Sequence, residues 1–321
     1  MRTSNWPKAT LIAACLCGMA TASIAAYPEK PVKMIVGYVP GGSTDIIGRI
    51  LANYLSVKWG QQVIIDNKPG AGGMIAAEQV VRAAPDGYTL LMGYTPEVSI
   101  NKLVYKGMRY DPIKDLTPVA LAAEAPLVLA AGPKFQFTDL QAILKKKPDG
   151  LSYGSPGIGG QQHMAGELLG QLSGIKLTHV PYRGTALAVT DLVGGQIDLF
   201  FATTPPMLPH IKSGKLKALA VAGPTREKLL PDTPTTTELG LPTLQLSNWF
   251  GVFAPNGLPA GVLERISADI ILALQDPKIA KQLEDQGLTP KPVRGDAMRE
   301  FIESEMRKYT EIVKQTGVTA E

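Results

Sequence analysis

The 321-residue chain carries 32 basic and 28 acidic residues, a net charge of +4, and 45% of it is apolar. So even a balance argues against a nucleic-acid partner, which requires a concentrated basic face. The only cysteines are Cys15 and Cys17, so the rest of the chain can build neither a disulfide framework nor a thiolate metal site.

The N-terminus points to a compartment. Arg2 and Lys8 flank the start of an uncharged apolar run over 9–22, and Ser23-Ile24-Ala25 offers small residues where a signal peptidase would cut before Ala26. Residues 1–25 are predicted to be a secretory signal, too short to span a bilayer, that sends the chain to the periplasm. A lipid anchor at Cys15 is the alternative, because Ile12-Ala13-Ala14 precedes it as in a lipobox. Removing the signal takes two basic residues, leaving 30 against 28 acidic ones, a net +2.

Beyond it, short β-branched runs alternate with amphipathic stretches, the pattern of an α/β fold. Strands are predicted over 32–38, 63–66 and 88–93, with helices over 43–58 and 73–83. In the first helix Ile46, Ile47, Ile50, Leu51, Tyr54 and Leu55 form one apolar stripe, and Arg49 and Lys58 fall outside it. A second series predicts strands over 127–131, 151–154, 177–180, 197–201 and 216–222, alternating with helices over 139–147, 161–172, 186–193 and 206–212. The Pro- and Thr-rich stretch 224–243 reads as a connection between lobes. A strand over 248–254 follows, and helices over 260–275, 277–286 and 296–315 pack back on the first lobe. The expected division is 26–124 with 246–321 as one discontinuous lobe and 125–245 as the other. No internal repeat is visible.

Several loops tempt a catalytic reading and miss its spacing. Gly157-Ile158-Gly159 has Gln162 where a dinucleotide fingerprint needs a third glycine, and Gly70-Ala71-Gly72 has Ile75 there. Ser155 lacks the first glycine of a nucleophile elbow. His163, His179 and His210 have no metal-ligand spacing, and His179 reads as a hydrogen-bonded core residue of a strand. The same loops fit anion binding better. Pro40-Gly41-Gly42-Ser43-Thr44 and Ser155-Pro156-Gly157-Ile158-Gly159-Gly160 each leave a strand and enter a helix, where unpaired N–H groups and the helix dipole face outward. Two such corners from two lobes suit the two ends of a dicarboxylate.

Tyr27-Pro28-Glu29-Lys30-Pro31, Ile35-Val36-Gly37-Tyr38-Val39-Pro40-Gly41-Gly42, Asn67-Lys68-Pro69-Gly70-Ala71-Gly72-Gly73 and Pro85-Asp86-Gly87-Tyr88-Thr89-Leu90 occur in order. So do His179-Val180-Pro181-Tyr182-Arg183-Gly184 and Asp191-Leu192-Val193-Gly194-Gly195-Gln196-Ile197-Asp198. This set resembles the Bug family, the extracytoplasmic solute receptors of tripartite tricarboxylate transporters, over nearly the whole chain after the signal. The resemblance implies a two-lobed periplasmic binding protein of type II, a Venus flytrap with its ligand cleft between lobes. It implies a monomer, without cofactor or metal, that is no enzyme and hands a small carboxylate to membrane transporter subunits.

Carried over by position, Val39, Pro40, Gly41, Gly42, Ser43 and Thr44 should hold one carboxylate, with Thr95 following the third strand. Ser155, Gly157 and Gly159 should serve the second lobe, helped by Thr185. Asp45 and Arg49 read as a structural pair. Many members of that family carry an aspartate where this chain reads Ala202-Thr203-Thr204, so Thr203 and Thr204 replace a partner for a ligand amine with hydroxyls. A plain di- or tricarboxylate, aliphatic or aromatic, is the expected ligand. Glu97 would repel it and is expected on the cleft rim, and Trp249 is a candidate wall. Two other functions are open: a ligand-dependent sensor of the same fold that presents to a signalling kinase, and a secreted hydrolase using Ser155 with His163 or His179.

Overall fold

The computed structural model describes residues 27–320; the predicted signal and both cysteines lie outside them. The first lobe opens with β1 (Val32–Val36), α1 (Ser43–Trp59), β2 (Val63–Asn67), α2 (Met74–Val81), β3 (Thr89–Tyr94), α3 (Asn101–Val104) and β4 (Leu116–Pro126). The second lobe follows as β5 (Val128–Ala131), α4 (Leu140–Lys146), β6 (Leu151–Ser155), α5 (Gln161–Ser173), β7 (Leu177–Pro181), α6 (Thr185–Val193), β8 (Leu199–Ala202), α7 (Thr204–Lys212) and β9 (Lys217–Val221). The chain then returns through β10 (Ser247–Pro255), α8 (Ala260–Gln275), α9 (Pro277–Glu284), β11 (Thr289–Val293) and α10 (Asp296–Thr316).

Two sheets result, with strand orders β11-β4-β10-β3-β1-β2 and β7-β6-β8-β5-β9. In the first, β2, β1 and β3 are parallel and β10 runs against both β3 and β4; in the second, β7, β6 and β8 are parallel and β5 runs against β8 and β9. The loops leaving the carboxyl ends of β1, β6, β7 and β8 and entering helices therefore gather at the facing sheet edges, where open α/β sheets hold ligands.

Two strands escaped the sequence reading. β4, Leu-Thr-Pro-Val-Ala-Leu-Ala-Ala-Glu-Ala-Pro, is buried on both faces along most of its length, so it shows no alternation, and alanine lends it little strand propensity. β11 contains Pro290 and Pro292, tolerated because it forms the sheet edge.

The stretch 224–243 is not the connection between lobes. Leu239 and Leu241 pack into the second lobe's core, and Thr236 N–H donates to Val221 O at 2.9 Å. The chain passes between sheets at 126–127 and 246–247. There Leu127 N–H donates to Leu246 O at 2.9 Å and Leu246 N–H to Ala222 O at 2.9 Å, so the two passages are bonded side by side. The terminal helices divide as well. α8 and α9 pack on the first sheet through Ile266, Ile270, Ile279 and Leu283. α10 straddles the lobes, with Met298 and Ile302 against the first and Tyr309 in the core of the second.

Candidate functional site

The loop between β1 and α1 is shaped by Asp45. Its carboxylate, 4% exposed as a side chain, receives Arg49 Nε and Nη2 at 2.9 Å each, Asn67 Nδ2 at 3.0 Å and the Gly41 N–H at 3.1 Å. Burial alone would raise its pKa; the hydrogen bonds from Arg49, Asn67 and Gly41 prevail and hold it below the ordinary value. Gly41 takes φ +90°, a conformation that selects glycine, and its N–H is consumed by Asp45. Replacing Asp45 with alanine would leave Arg49, Asn67 and Gly41 short of an acceptor. The expected result is a stability loss of about 1–3 kcal/mol, read as a lower midpoint of denaturation; an unchanged midpoint would show that the loop keeps its shape without this carboxylate.

A cavity of about 20 Å³ lies between the lobes, walled by Tyr38, Val39, Gly42, Ser43, Thr44 and Tyr94 of the first, Gln162, Thr185, Ala186 and Thr203 of the second, and Asn248 and Phe250 of β10. Among the described residues, none of those lining it is charged. The first turns of α1 and α6 reach it, each with a glycine N-cap and no side-chain cap, so their leading N–H groups have no partner within the helix and carry the positive end of its dipole. α7 differs: Pro205 and Pro206 have no N–H, and its N-cap residue, Thr203, lines the cavity. The lobes meet directly here, with Ser43 Oγ 2.6 Å from Thr203 Oγ1 and Gln162 Nε2 donating to Tyr94 Oη at 2.7 Å. Tyr94 stacks on Phe250 at 5.3 Å between centroids and meets Tyr38 edge-on at 5.2 Å.

Several expected residues lie elsewhere. Thr95 is fully buried with its hydroxyl spent on β10, accepting from Trp249 N–H at 2.9 Å and donating to Trp249 O at 3.0 Å. Thr204 turns from the cavity to hydrogen-bond the Glu227 carboxyl. Trp249 faces away from the cleft and packs on Phe253 and Phe301, because adjacent strand residues point to opposite faces and Asn248 has taken the inner one.

The Ser155 loop spends its donors on itself. Ser155 Oγ lies 2.6 Å from both His179 Nε2 and Gly157 O, Gly157 N–H reaches Ser155 Oγ at 3.3 Å, and Gly159 N–H donates to His163 Nδ1 at 3.1 Å. The two imidazoles stack at 3.8 Å, and burial, reinforced by His163, drives the His179 pKa down to about 3. The pair a serine hydrolase would need is thus adjacent, but Ser155 is fully buried and, among the described residues, no carboxylate bonds to His179. The outer face of the loop, at 156–158, lines a neighbouring space of about 190 Å³ with Gly70, Gly72, Tyr105 and Arg183, separated from the uncharged cavity by Tyr38.

Glu97 is not on the rim. It is fully buried, accepting Tyr94 N–H at 2.8 Å and Tyr38 O–H at 2.8 Å, and burial pushes its pKa up to about 8. Gly73 makes room for it: a Cβ at that position would come within 2.8 Å of the Glu97 carboxyl carbon. Tyr38, Tyr94, Gln162, Ala186, Asn248 and Phe250 were missed as cavity residues. The alternation of β10 carried a signal for Asn248 and Phe250, whereas Gln162 and Tyr94 meet only when the lobes are placed.

A family model described as tripartite tricarboxylate transporter family receptor matches residues 47–318. BugT of Bordetella pertussis is 35% identical over 309 residues, covering 93% of this chain and 95% of that protein. Among solved structures, Rpa4515 of R. palustris with adipate superposes with a TM-score of 0.88 at 31% identity, covering 91% of this chain and 99% of that one. MatC of Rhodopseudomonas palustris with bound malate gives a TM-score of 0.83 at 32% identity, covering 89% and 100%.

Proposed function

The chain belongs to the tripartite tricarboxylate transporter receptor family, and from that premise we propose that it captures a small di- or tricarboxylate between its lobes in the periplasm and delivers it to a membrane transporter. The observation that carries the ligand class is the uncharged cavity ringed by the uncapped first turns of α1 and α6 and by hydroxyls. Fixed N–H groups and dipoles attract an anion there without the flexibility of a basic side chain. Ser43, Thr44, Thr185 and Thr203 are the hydroxyl donors, with Val39 and Gly42 supplying backbone. Two relatives of this fold hold adipate and malate, which supports the same class here.

A cavity of about 20 Å³ has room for roughly one water molecule. Entry of a dicarboxylate therefore requires the lobes to part, and the ligand must replace the Ser43–Thr203 contact as they shut again. The test is a thermal-shift screen of the exported chain against aliphatic and aromatic carboxylates, amino acids and neutral sugars. A ligand at a hundred times its Kd should add about 2.7 kcal/mol. Stabilisation by neutral sugars alone would overturn the carboxylate reading. Delivery is tested by uptake of the identified carboxylate in cells lacking this chain: uptake should fall, and unchanged uptake with lost ligand-induced gene expression would mark a sensor instead.

A further inference from the structure

We propose that Asn248 sets the ligand specificity of this cavity by accepting a hydrogen bond from an alcohol group, so that the receptor selects hydroxycarboxylates over plain carboxylates of the same length. The inference rests on the carboxylate reading above and refines it.

Asn248 is 2% exposed and lines the cavity from β10, and its Oδ1 is buried with no hydrogen-bond partner among the described residues. A buried amide oxygen left unpaired is costly, so its presence on a ligand wall calls for a donor that arrives with the ligand. No neighbouring polar group is bonded to that oxygen. The Tyr38 hydroxyl donates toward Glu97 and Gly72 O, Ser43 and Thr203 pair with each other, the Gln162 amide nitrogen donates to Tyr94 Oη, and Asn248 turns its amide N–H, not its oxygen, toward Tyr94. The first turns of α1 and α6 supply donors suited to carboxylates. Asn248 Oδ1 is the buried acceptor left without a donor among them, and the matching ligand is an anion that also brings one O–H.

An ammonium group would also donate, but it fits poorly. It presents three donors and a full charge, whereas the acceptors of the wall are all neutral and, among the described residues, none is a carboxylate. Desolvating such a cation without a countercharge is far costlier than desolvating an alcohol.

The experiment is calorimetry with matched pairs: succinate with malate, adipate with 2-hydroxyadipate, and tricarballylate with citrate, with aspartate alongside malate. In at least one pair the hydroxylated member should bind about tenfold tighter or more, and aspartate should bind more weakly than malate. Asn248→Leu, similar in volume and without the acceptor, should bring the two members of that pair within about twofold of each other, whatever it does to their common affinity. Equal affinity within every pair in the native protein, a preference for aspartate, or a hydroxyl preference that survives Asn248→Leu would each overturn the assignment and leave the carboxylate receptor intact. Absence of binding by every compound would overturn the assignment together with the reading beneath it. The native-protein comparison stands even if the variant fails to fold.

Discussion

Replacing Ala186 with aspartate is expected to abolish carboxylate binding while leaving the fold at least as stable. Ala186 is the second residue of α6 and lines the cavity from the second lobe. An acidic side chain in the first turn of a helix is favourable by about 0.3–1 kcal/mol, so the melting temperature should hold or rise slightly. The same carboxylate would compete with the ligand for the α6 N–H groups and set a negative charge against it. Like charges brought together across an interface cost several kcal/mol, which corresponds to at least about a hundredfold in affinity. Calorimetry with the best carboxylate from the screen, paired with a melting curve, reads both effects. Binding retained within about threefold would mean that the α6 terminus does not face the ligand. A collapsed melting temperature would mean that Ala186 is a packing residue.

Glu97 should make the protein less stable as pH rises. Burial pushes its carboxyl pKa up to about 8 in the folded chain, against an ordinary value of 4.5. Between those values the folded state holds a proton that the unfolded state has released. Its contribution is therefore complete below pH 4.5, declines as pH climbs, and is gone above about 8. Glu97→Gln keeps the geometry: the amide oxygen can accept Tyr94 N–H, and the amide nitrogen can face the Tyr38 hydroxyl. The variant should match the native protein near pH 5 and exceed it by about 2–4 kcal/mol at pH 9, roughly 5–15 °C in melting temperature for a chain of this size. His163 and His179 act in the opposite sense. Their depressed pKa values remove stability as pH falls below about 6.5, so the native protein alone would show a peak rather than a slope. The difference between native and variant cancels the histidines. Parallel melting profiles for the two from pH 5 to 9 would show that Glu97 is solvated.

Much of the architecture is legible in one dimension because it rests on local periodicity. The stripe of Ile47, Leu51 and Leu55 marks α1 and buries against the first sheet, and the Pro-Gly-Gly-Ser-Thr loop announces an uncapped helix at a strand's carboxyl end. The Asp45–Arg49 pair follows from spacing alone, since residues four apart on a helix must meet. Strands β4 and β11 did not declare themselves, because one is buried on both faces and the other is sustained at a sheet edge despite two prolines.

The site divided along the same line. The sequence by itself determined which loops enter helices with free N–H groups, and so that an anion would find donors here; that is a property of backbone and local composition. Only the tertiary structure decided which of those donors remain available. Gly41 gives its N–H to Asp45, and Ser155, Gly157 and Gly159 are tied up by one another and by two stacked histidines. Thr95 is bonded to a strand 154 residues away. Glu97, which looked like a repulsive rim charge, lies buried behind Tyr38. Asn248 and Gln162 enter the cavity from opposite sides of the passage between lobes. A hydrogen bond consumes a donor regardless of distance along the chain, so which groups are left for a ligand is fixed by partners that adjacency in sequence does not reveal.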